Sequence, residues 1–486
     1  MKDRIMCGFI ALLSFNVWTD PCFDTYQMSN SDRAVEPGQT IAAVGVIPTH
    51  CIVRGVVNRA IQFELRMPLE NWNGRFLMMG NGGSAGYIAD TTLDLYRGYA
   101  IASTNTGHVN TEEDFPLQPE AALDFAFRGV HMTAATAKDI VQNYYGQGIN
   151  YAYFQGCSGG GRQGLVAATR YPEDFDGIIA GAPVHKTIRD FLLWSIHASR
   201  AQDKHPLGET QFQLLGDASR RACDELDGIK DGVINDPRMC TLEKYDPSTL
   251  LCEAGKEADT CLTEGQLSTV MAHYEGLVDE EGNVVAPGLV PGAEAAGDWT
   301  QWLLPDDRFW WMSEVGLNRL TGDMLKWWVY KDPGYDQDDF DLMADREDLT
   351  RASNLLDVNT ANLTAFRKLG GKVLLYQGWN DYPVRPQQII DYLQEVEAAN
   401  GGPRKTREFF QLFMVPGMTH CSNGPGAWEI DYLEPLVQWV EKNKRPNTLI
   451  GSRPDGAFTR THCPFPKIAK YTGGDETKAS SYRCRK

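Results

Sequence analysis

A chain of 486 residues is longer than one ordinary core requires, so one large domain with an insertion, or two domains, is expected. Its 42% hydrophobic and 23% charged residues are globular values, and 64 acidic against 46 basic residues give a formal charge of −18. That balance disfavours nucleic acid and other polyanions, and no apolar window reaches the length of a membrane span, so neither partner is expected.

Residues 1–19 place basic side chains before an apolar stretch and read as a secretory signal, although Asp3 is out of place and no Ala-x-Ala site follows. Of eleven cysteines, Cys7 would leave with that segment. The even set that remains predicts disulfides and an extracellular or periplasmic destination.

Apolar runs at 41–47 and 56–67 predict early, partly antiparallel strands. The run 72–79 enters the glycine-rich loop Asn81-Gly82-Gly83-Ser84, and 98–103 is a further strand ending in a polar loop. A helix is expected over 125–145. Residues 150–155 then form a short aromatic strand leading into Gly156-Cys157-Ser158-Gly159-Gly160 and a helix-like run to Tyr171. Strand, sharp turn with a serine, then helix is the nucleophile elbow of an α/β-hydrolase. Glycines at 156 and 160 leave space where a Cβ would crowd the adjoining strand and helix. The next strand lies at 175–183, and strands resume at 372–378 and 408–415.

This alternation predicts an α/β architecture, an α/β-hydrolase fold with a large lid-domain insertion. The catalytic domain is expected at 20–188 plus 366–486. The intervening 189–365, helical or irregular and rich in Asp, Trp and Cys, is expected to be the lid.

An activated serine needs a base, and the base needs an orienting acid. In this fold the order is Ser, then Asp or Glu, then His. Asp381 and His420 each follow an apolar strand in that order, so Ser158, Asp381 and His420 form the expected triad. His108 and His131 precede the serine, and His462 lies beyond the last clear strand. The oxyanion donors are expected at Gly159 and at either Gly82 or Gly83, between which no choice is made. Cys157 adjoins the serine and Cys421 adjoins the histidine. Since Ser and His must meet, their neighbours stand where a disulfide can tie the two loops together. The rival chemistry, Cys157 as a thiolate nucleophile, is disfavoured because Ser158 holds the elbow position.

Within the insertion, Asp224, Asp227 and Asp231 alternate with glycines between Cys223 and Cys240, which are expected to pair. An oxygen-rich loop of this kind suits Ca²⁺, although the spacing is not that of an EF-hand. The insertion is also rich in aromatics: Trp299, Trp302, the run 309–311, Trp327, Trp328 and Tyr330. Some of these are expected to form its core and others to wall an aromatic acyl group. Arg308, Arg319 and Arg351 are candidates to meet a substrate carboxylate or phenol.

Cys-Ser, a distant Asp, then His-Cys is the signature of the tannase and feruloyl esterase family, whose members include bacterial enzymes that cleave mono(2-hydroxyethyl) terephthalate. Gly156-Cys-Ser-Gly-Gly-Gly-Arg-Gln-Gly164 resembles the family elbow. Gly378-Trp-Asn-Asp381 and Pro416-Gly-Met-Thr-His420-Cys421 resemble its acid and base loops, and the likeness runs from Cys22 to Cys484. The resemblance implies the triad Ser158, Asp381 and His420 with Cys157–Cys421 bridged beneath it. It also implies the pairs Cys252–Cys261 and Cys463–Cys484, leaving Cys22–Cys51. A structural Ca²⁺ would be held by Asp224, Asp227 and Asp231 and the carbonyls of Ile229 and Val233, with no organic cofactor.

The function so implied is a secreted serine carboxylic-ester hydrolase, monomer or homodimer, acting on small esters of aromatic, phenolic acids such as ferulate or gallate. A terephthalate half-ester hydrolase is the alternative within the class. A catalytically silent hydrolase-fold binding protein is the alternative outside it.

Overall fold

The computed structural model describes residues 21–253, 260–305, 316–343 and 347–486. The expected signal at 1–19, Arg308 and the aromatic run 309–311 lie outside the described residues.

Ten strands form one mixed sheet. In chain order they begin with β1 (Arg33–Val35), β2 (Gln39–Ile41), β3 (His50–Val57), β4 (Ile61–Pro68) and β5 (Arg75–Met79). Next come β6 (Ala100–Thr104), β7 (Tyr151–Cys157) and β8 (Gly177–Gly181). A separate hairpin, β9 (Gly276–Val278) and β10 (Val284–Pro287), precedes β11 (Lys372–Gly378) and β12 (Phe410–Val415). The spatial order is β1-β3-β4-β6-β5-β7-β8-β11-β12, with β2 also on β3. The pairs β3–β4 and β4–β6 are antiparallel, and every pair from β6 to β12 is parallel.

The parallel half reads as unbroken apolar runs because both of its faces are covered. Successive side chains go to opposite layers. Phe154, Ile178, Val373 and Leu375 join one core, with side chains from the helices Gly129–Tyr145, Gly159–Arg170 and Pro386–Ala399. Tyr153, Ile179, Leu374 and Phe413 join the opposite one, under the helix Leu433–Lys442.

The expected strand over 41–47 is corrected. Only Ile41 belongs to β2. The chain then turns at Gly45 (φ 59°), Val44 and Ile47 bridge across that turn, and Val44 and Val46 are 70% and 78% exposed. The strand that pairs along all of β4 is instead His50–Val57. An apolar run with a glycine in the left-handed region turns away from the sheet before it can pair.

The chain between β8 and β11 contributes nothing to the main sheet among the described residues. It builds its own core around Trp194, Phe212, Trp299 and Leu325. Phe115, Ala121 and Ala126 from before the elbow, and Tyr382 beside Asp381, pack into that core as well. The insertion was expected to lack strands, yet β9 and β10 pair within it. All ten cysteines from Cys22 onward are bridged, as Cys22–Cys51, Cys157–Cys421, Cys223–Cys240, Cys252–Cys261 and Cys463–Cys484. No helix among the described residues is long and apolar enough to cross a membrane.

Candidate active site

β7 ends at Cys157 and the next helix begins at Gly159, so Ser158 makes the turn, at φ 62° and ψ −121°. A side chain in that backbone region persists only where its surroundings enforce it. Here the Ser158 N–H donates to the Gly181 carbonyl at 2.9 Å, and the Ser158 carbonyl accepts from the Arg162 N–H at 3.0 Å. The turn also requires Gly156, because a Cβ there would stand 2.7 Å from the Gly160 carbonyl.

The acid and base loops meet through their backbones before their side chains do. The Asn380 N–H donates to the Met418 carbonyl at 2.9 Å, and a Cβ on Gly378 would lie 2.2 Å from that same carbonyl. Asp381, fully buried, places Oδ2 2.9 Å from His420 Nδ1, while its Oδ1 accepts the Val384 N–H at 2.8 Å. With Nδ1–H given to the carboxylate, the imidazole Nε2 is the free base. Burial weakens the hold of His420 on a proton. The Asp381 charge, its hydrogen bond and the charge of Asp298 outweigh that, so the imidazole binds its proton more tightly than an ordinary histidine.

The Cys157–Cys421 disulfide joins positions 264 residues apart and fastens the elbow to the histidine loop. Ser158 and Cys421 both hold positive φ, so an unusual turn stands at each end of this connection. Asn81 secures the third loop. Its amide donates to the Tyr87 and Thr104 carbonyls and accepts from Gln163 of the nucleophile helix, each at 2.7 Å. Gly82, the next residue, lies against Ser158, with the ideal Cβ position 3.8 Å from the Ser158 Cβ. Its N–H donates to the Tyr87 hydroxyl at 3.0 Å. Gly83 faces open space.

These loops form one side of a cavity of about 660 Å³ that Ser158, His420, Gly82, Gly83 and the disulfide all line. Its apolar lining comes from Trp302, Leu320, Met324, Trp327 and Trp328 of the insertion and from Phe115 before the elbow. Trp302 presents its ring edge-to-face with His420, at 6.2 Å and 83°. Trp299 belongs to the insertion core, and Tyr330 and Arg351 line a separate recess. Arg319 does line the cavity, paired with Glu113 and, at 3.9 Å, with Asp323, and Glu112 lies on the same wall.

The rival histidines have other places. His108 stacks on Phe115 at 3.6 Å as part of the cavity wall, and burial pushes its pKa down to about 4. His131 bonds Asp174, and His462 bonds the Ala427 carbonyl. Asp298 was not anticipated. From the insertion, its Oδ2 accepts the backbone N–H of His420 at 2.8 Å and that of Tyr382 at 3.2 Å. No motif marks it, because its partners are backbone groups far away in sequence.

Residues 44–485 match the family model described as tannase and feruloyl esterase. The chain belongs to the tannase and feruloyl esterase family. It is 31% identical over 448 residues to a probable feruloyl esterase B-2 of Aspergillus terreus, covering 85% of this chain and 81% of the relative. It is 30% identical over 523 residues to the mono(2-hydroxyethyl) terephthalate hydrolase of Piscinibacter sakaiensis, covering 91% and 86%. The crystal structure of feruloyl esterase B from Aspergillus oryzae superposes with a TM-score of 0.82 at 26% identity, over 96% of this chain and 100% of that one. This family member is accordingly a carboxylic-ester hydrolase of the α/β-hydrolase fold.

The aspartate loop of this esterase curls onto its own backbone. Asp224 accepts from the Gly232 N–H (3.0 Å), Asp227 from Ile229 (3.0 Å) and Asp231 from Val233 (3.0 Å), and Arg460 pairs with the second oxygen of Asp231. Burial, with repulsion from Asp231 and Asp224, pushes the Asp227 carboxyl up to about 6. Asp224 and Asp227 both hold their protons more tightly than ordinary aspartates, through burial and the neighbouring carboxylates, and oxygen donors are the kind that a hard divalent cation takes. Among the described residues, no three acidic, histidine or cysteine side chains are grouped so that they could hold a metal ion. Val233 packs against Gly417, on the approach to His420.

Proposed function

We propose that this esterase hydrolyses esters of phenolic acids, ferulate and gallate esters among them, through an acyl-enzyme on Ser158. The observation that carries the reading is the 2.9 Å Asp381–His420 bond beside the Ser158 elbow in an aromatic cavity. His420 Nε2 takes the Ser158 proton as Oγ attacks the ester carbonyl, then passes that proton to the leaving alcohol. Asp381 holds the tautomer and favours the imidazolium. The oxyanion receives the Gly159 N–H, at the positive end of its helix, and the Gly82 N–H. Gly82 is preferred to Gly83 because it abuts Ser158 and its N–H is held by Tyr87, a half-exposed side chain that substrate would have to displace. Water activated by His420 then releases the acid.

Trp302, Trp327, Trp328 and Phe115 give flat walls for a phenyl ring. Arg319 is already matched by Glu113 and Asp323, and Glu112 makes that wall acidic among the described residues. Carboxylates accept hydrogen bonds from phenolic hydroxyls and repel a free carboxylate. This charge favours uncharged phenolic rings over the terephthalate half-ester, the alternative that the Piscinibacter relative supplies. The segment 189–365 acts as the lid over this cavity.

Ca²⁺ is assigned to Asp224, Asp227 and Asp231 with the carbonyls of Ile229 and Val233. It would neutralise the loop and hold it against the histidine segment, and no reaction step passes through it. Five disulfides fit an enzyme working in an oxidising, extracytoplasmic compartment.

The deciding experiment compares the parent with Ser158→Ala on methyl ferulate and p-nitrophenyl butyrate. Loss of turnover in a folded variant is expected, and equal rates would sink the esterase reading.

A further inference from the structure

Two carboxylates act on His420, and the proton relay uses only one of them. Asp298 opens the short helix Asp298–Leu303 of the insertion and is buried. A single oxygen, Oδ2, accepts the N–H of His420 at 2.8 Å and the N–H of Tyr382, the neighbour of Asp381, at 3.2 Å. Base loop and acid loop are therefore clipped together by an atom from an element to which neither belongs. Four residues on, the same helix carries Trp302, whose ring stands edge-to-face with the imidazole.

We infer that Asp298 is a positioning residue for hydrolysis: it fixes the His420 and Asp381 loops relative to each other from the insertion, and its charge adds to that of Asp381 in favouring the imidazolium. This rests on the triad assigned above.

The neighbours of the pair are few in kind. Asp298 faces His420 and Asp381 as charged groups, and the Tyr382 hydroxyl turns away to bond His273 in the insertion core. His420 faces Asp381, Asp298 and Trp302, and lines the same cavity as Ser158 and the Cys157–Cys421 disulfide. Burial and the nearby Asp381 push the Asp298 carboxyl up to about 7, against the pull of His420 and the two N–H donors. The charges of Asp298 and His420 are thereby linked, each favouring the charged form of the other.

The test uses the full-length enzyme on methyl ferulate. Asp298→Asn keeps an acceptor for both N–H groups and removes the charge, whereas Asp298→Ala removes both bonds. For D298N, kcat is expected to fall about tenfold with KM unchanged, and the acidic limb of kcat/KM moves to lower pH because a charge favouring the imidazolium is gone. For D298A, kcat falls further, by about a hundredfold, as the base is no longer held in place. Parent-like kcat and an unmoved acidic limb in D298N, with D298A losing only Tm, would reduce Asp298 to a structural role and overturn the inference. Should either variant fail to fold, the downfield Nδ1–H resonance of His420 in the unaltered enzyme decides: two titration steps support the coupling and one step refutes it. A parent as inactive as S158A would instead defeat the esterase reading itself.

Discussion

The carboxyl edge of the sheet and the inserted segment face each other across one cavity and hold their residues by different means. On the sheet side, Ser158, Asp381 and His420 each follow a strand closely, and backbone bonds fix their loops independently of the side-chain chemistry. On the insertion side, Asp298, Trp302, Arg319 and Trp327 ride on short helical turns placed by the packing of a second core. The difference teaches where each property is encoded. Bond-breaking chemistry sits in local motifs, while fit and fine positioning depend on how two cores pack together.

If that division is right, changes on the sheet side cost the most turnover. Asp381→Asn should lower kcat by about 10⁴-fold with little change in Tm, measured on methyl ferulate, because the wrong histidine tautomer is favoured. A smaller loss would shift the burden of orienting His420 toward Asp298.

The disulfide lies across the boundary between catalysis and stability. Cys157→Ser with Cys421→Ser should cost roughly 2–5 kcal/mol in chemical denaturation and lower kcat as well, since the histidine loop loosens. Lost stability with unchanged kcat would show that the backbone bonds alone hold the geometry.

Changes on the insertion side should move binding. Trp302→Ala is expected to lower kcat/KM about 10- to 100-fold on phenolic esters, chiefly through KM. A pure kcat effect would place Trp302 with the catalytic loops. Removing Ca²⁺ with EDTA should lower Tm, with up to about 3 kcal/mol restored at a hundredfold excess of the ion over its Kd. A melting curve indifferent to chelator and to added Ca²⁺ refutes the metal loop.

The smallest effect is one of pH. His420 must be neutral to accept the Ser158 proton, and its proton affinity is raised in the fold. Activity therefore falls as pH drops through that raised value, and the acidic midpoint of kcat/KM should lie above that of an ordinary histidine.

Much of the site was legible along the chain because elbow, acid and base each announce themselves by a strand followed by a polar residue in a set order. The cysteines flanking Ser158 and His420 were legible for the same reason, as neighbours of residues that must meet. The strand expected at 41–47 misled, since apolar composition says nothing of whether a glycine will turn the chain before it pairs. The proposed preference for Gly82 over Gly83 rests on its place against Ser158, which no spacing in the sequence shows. The aromatic residues were no easier to sort: Trp299 and Trp302 both pack into the insertion core, and only Trp302 also reaches the cavity.

The α/β-hydrolase framework, the triad proposed here and the cysteines beside it could be read along the chain, because periodicity and motif order act over short stretches. The tertiary structure alone decided that Asp298 reaches His420, that Arg319 is matched by Glu113, and that Trp302 faces the base. Those contacts join residues far apart in sequence through backbone groups, charges and ring edges, none of which carries a spacing rule.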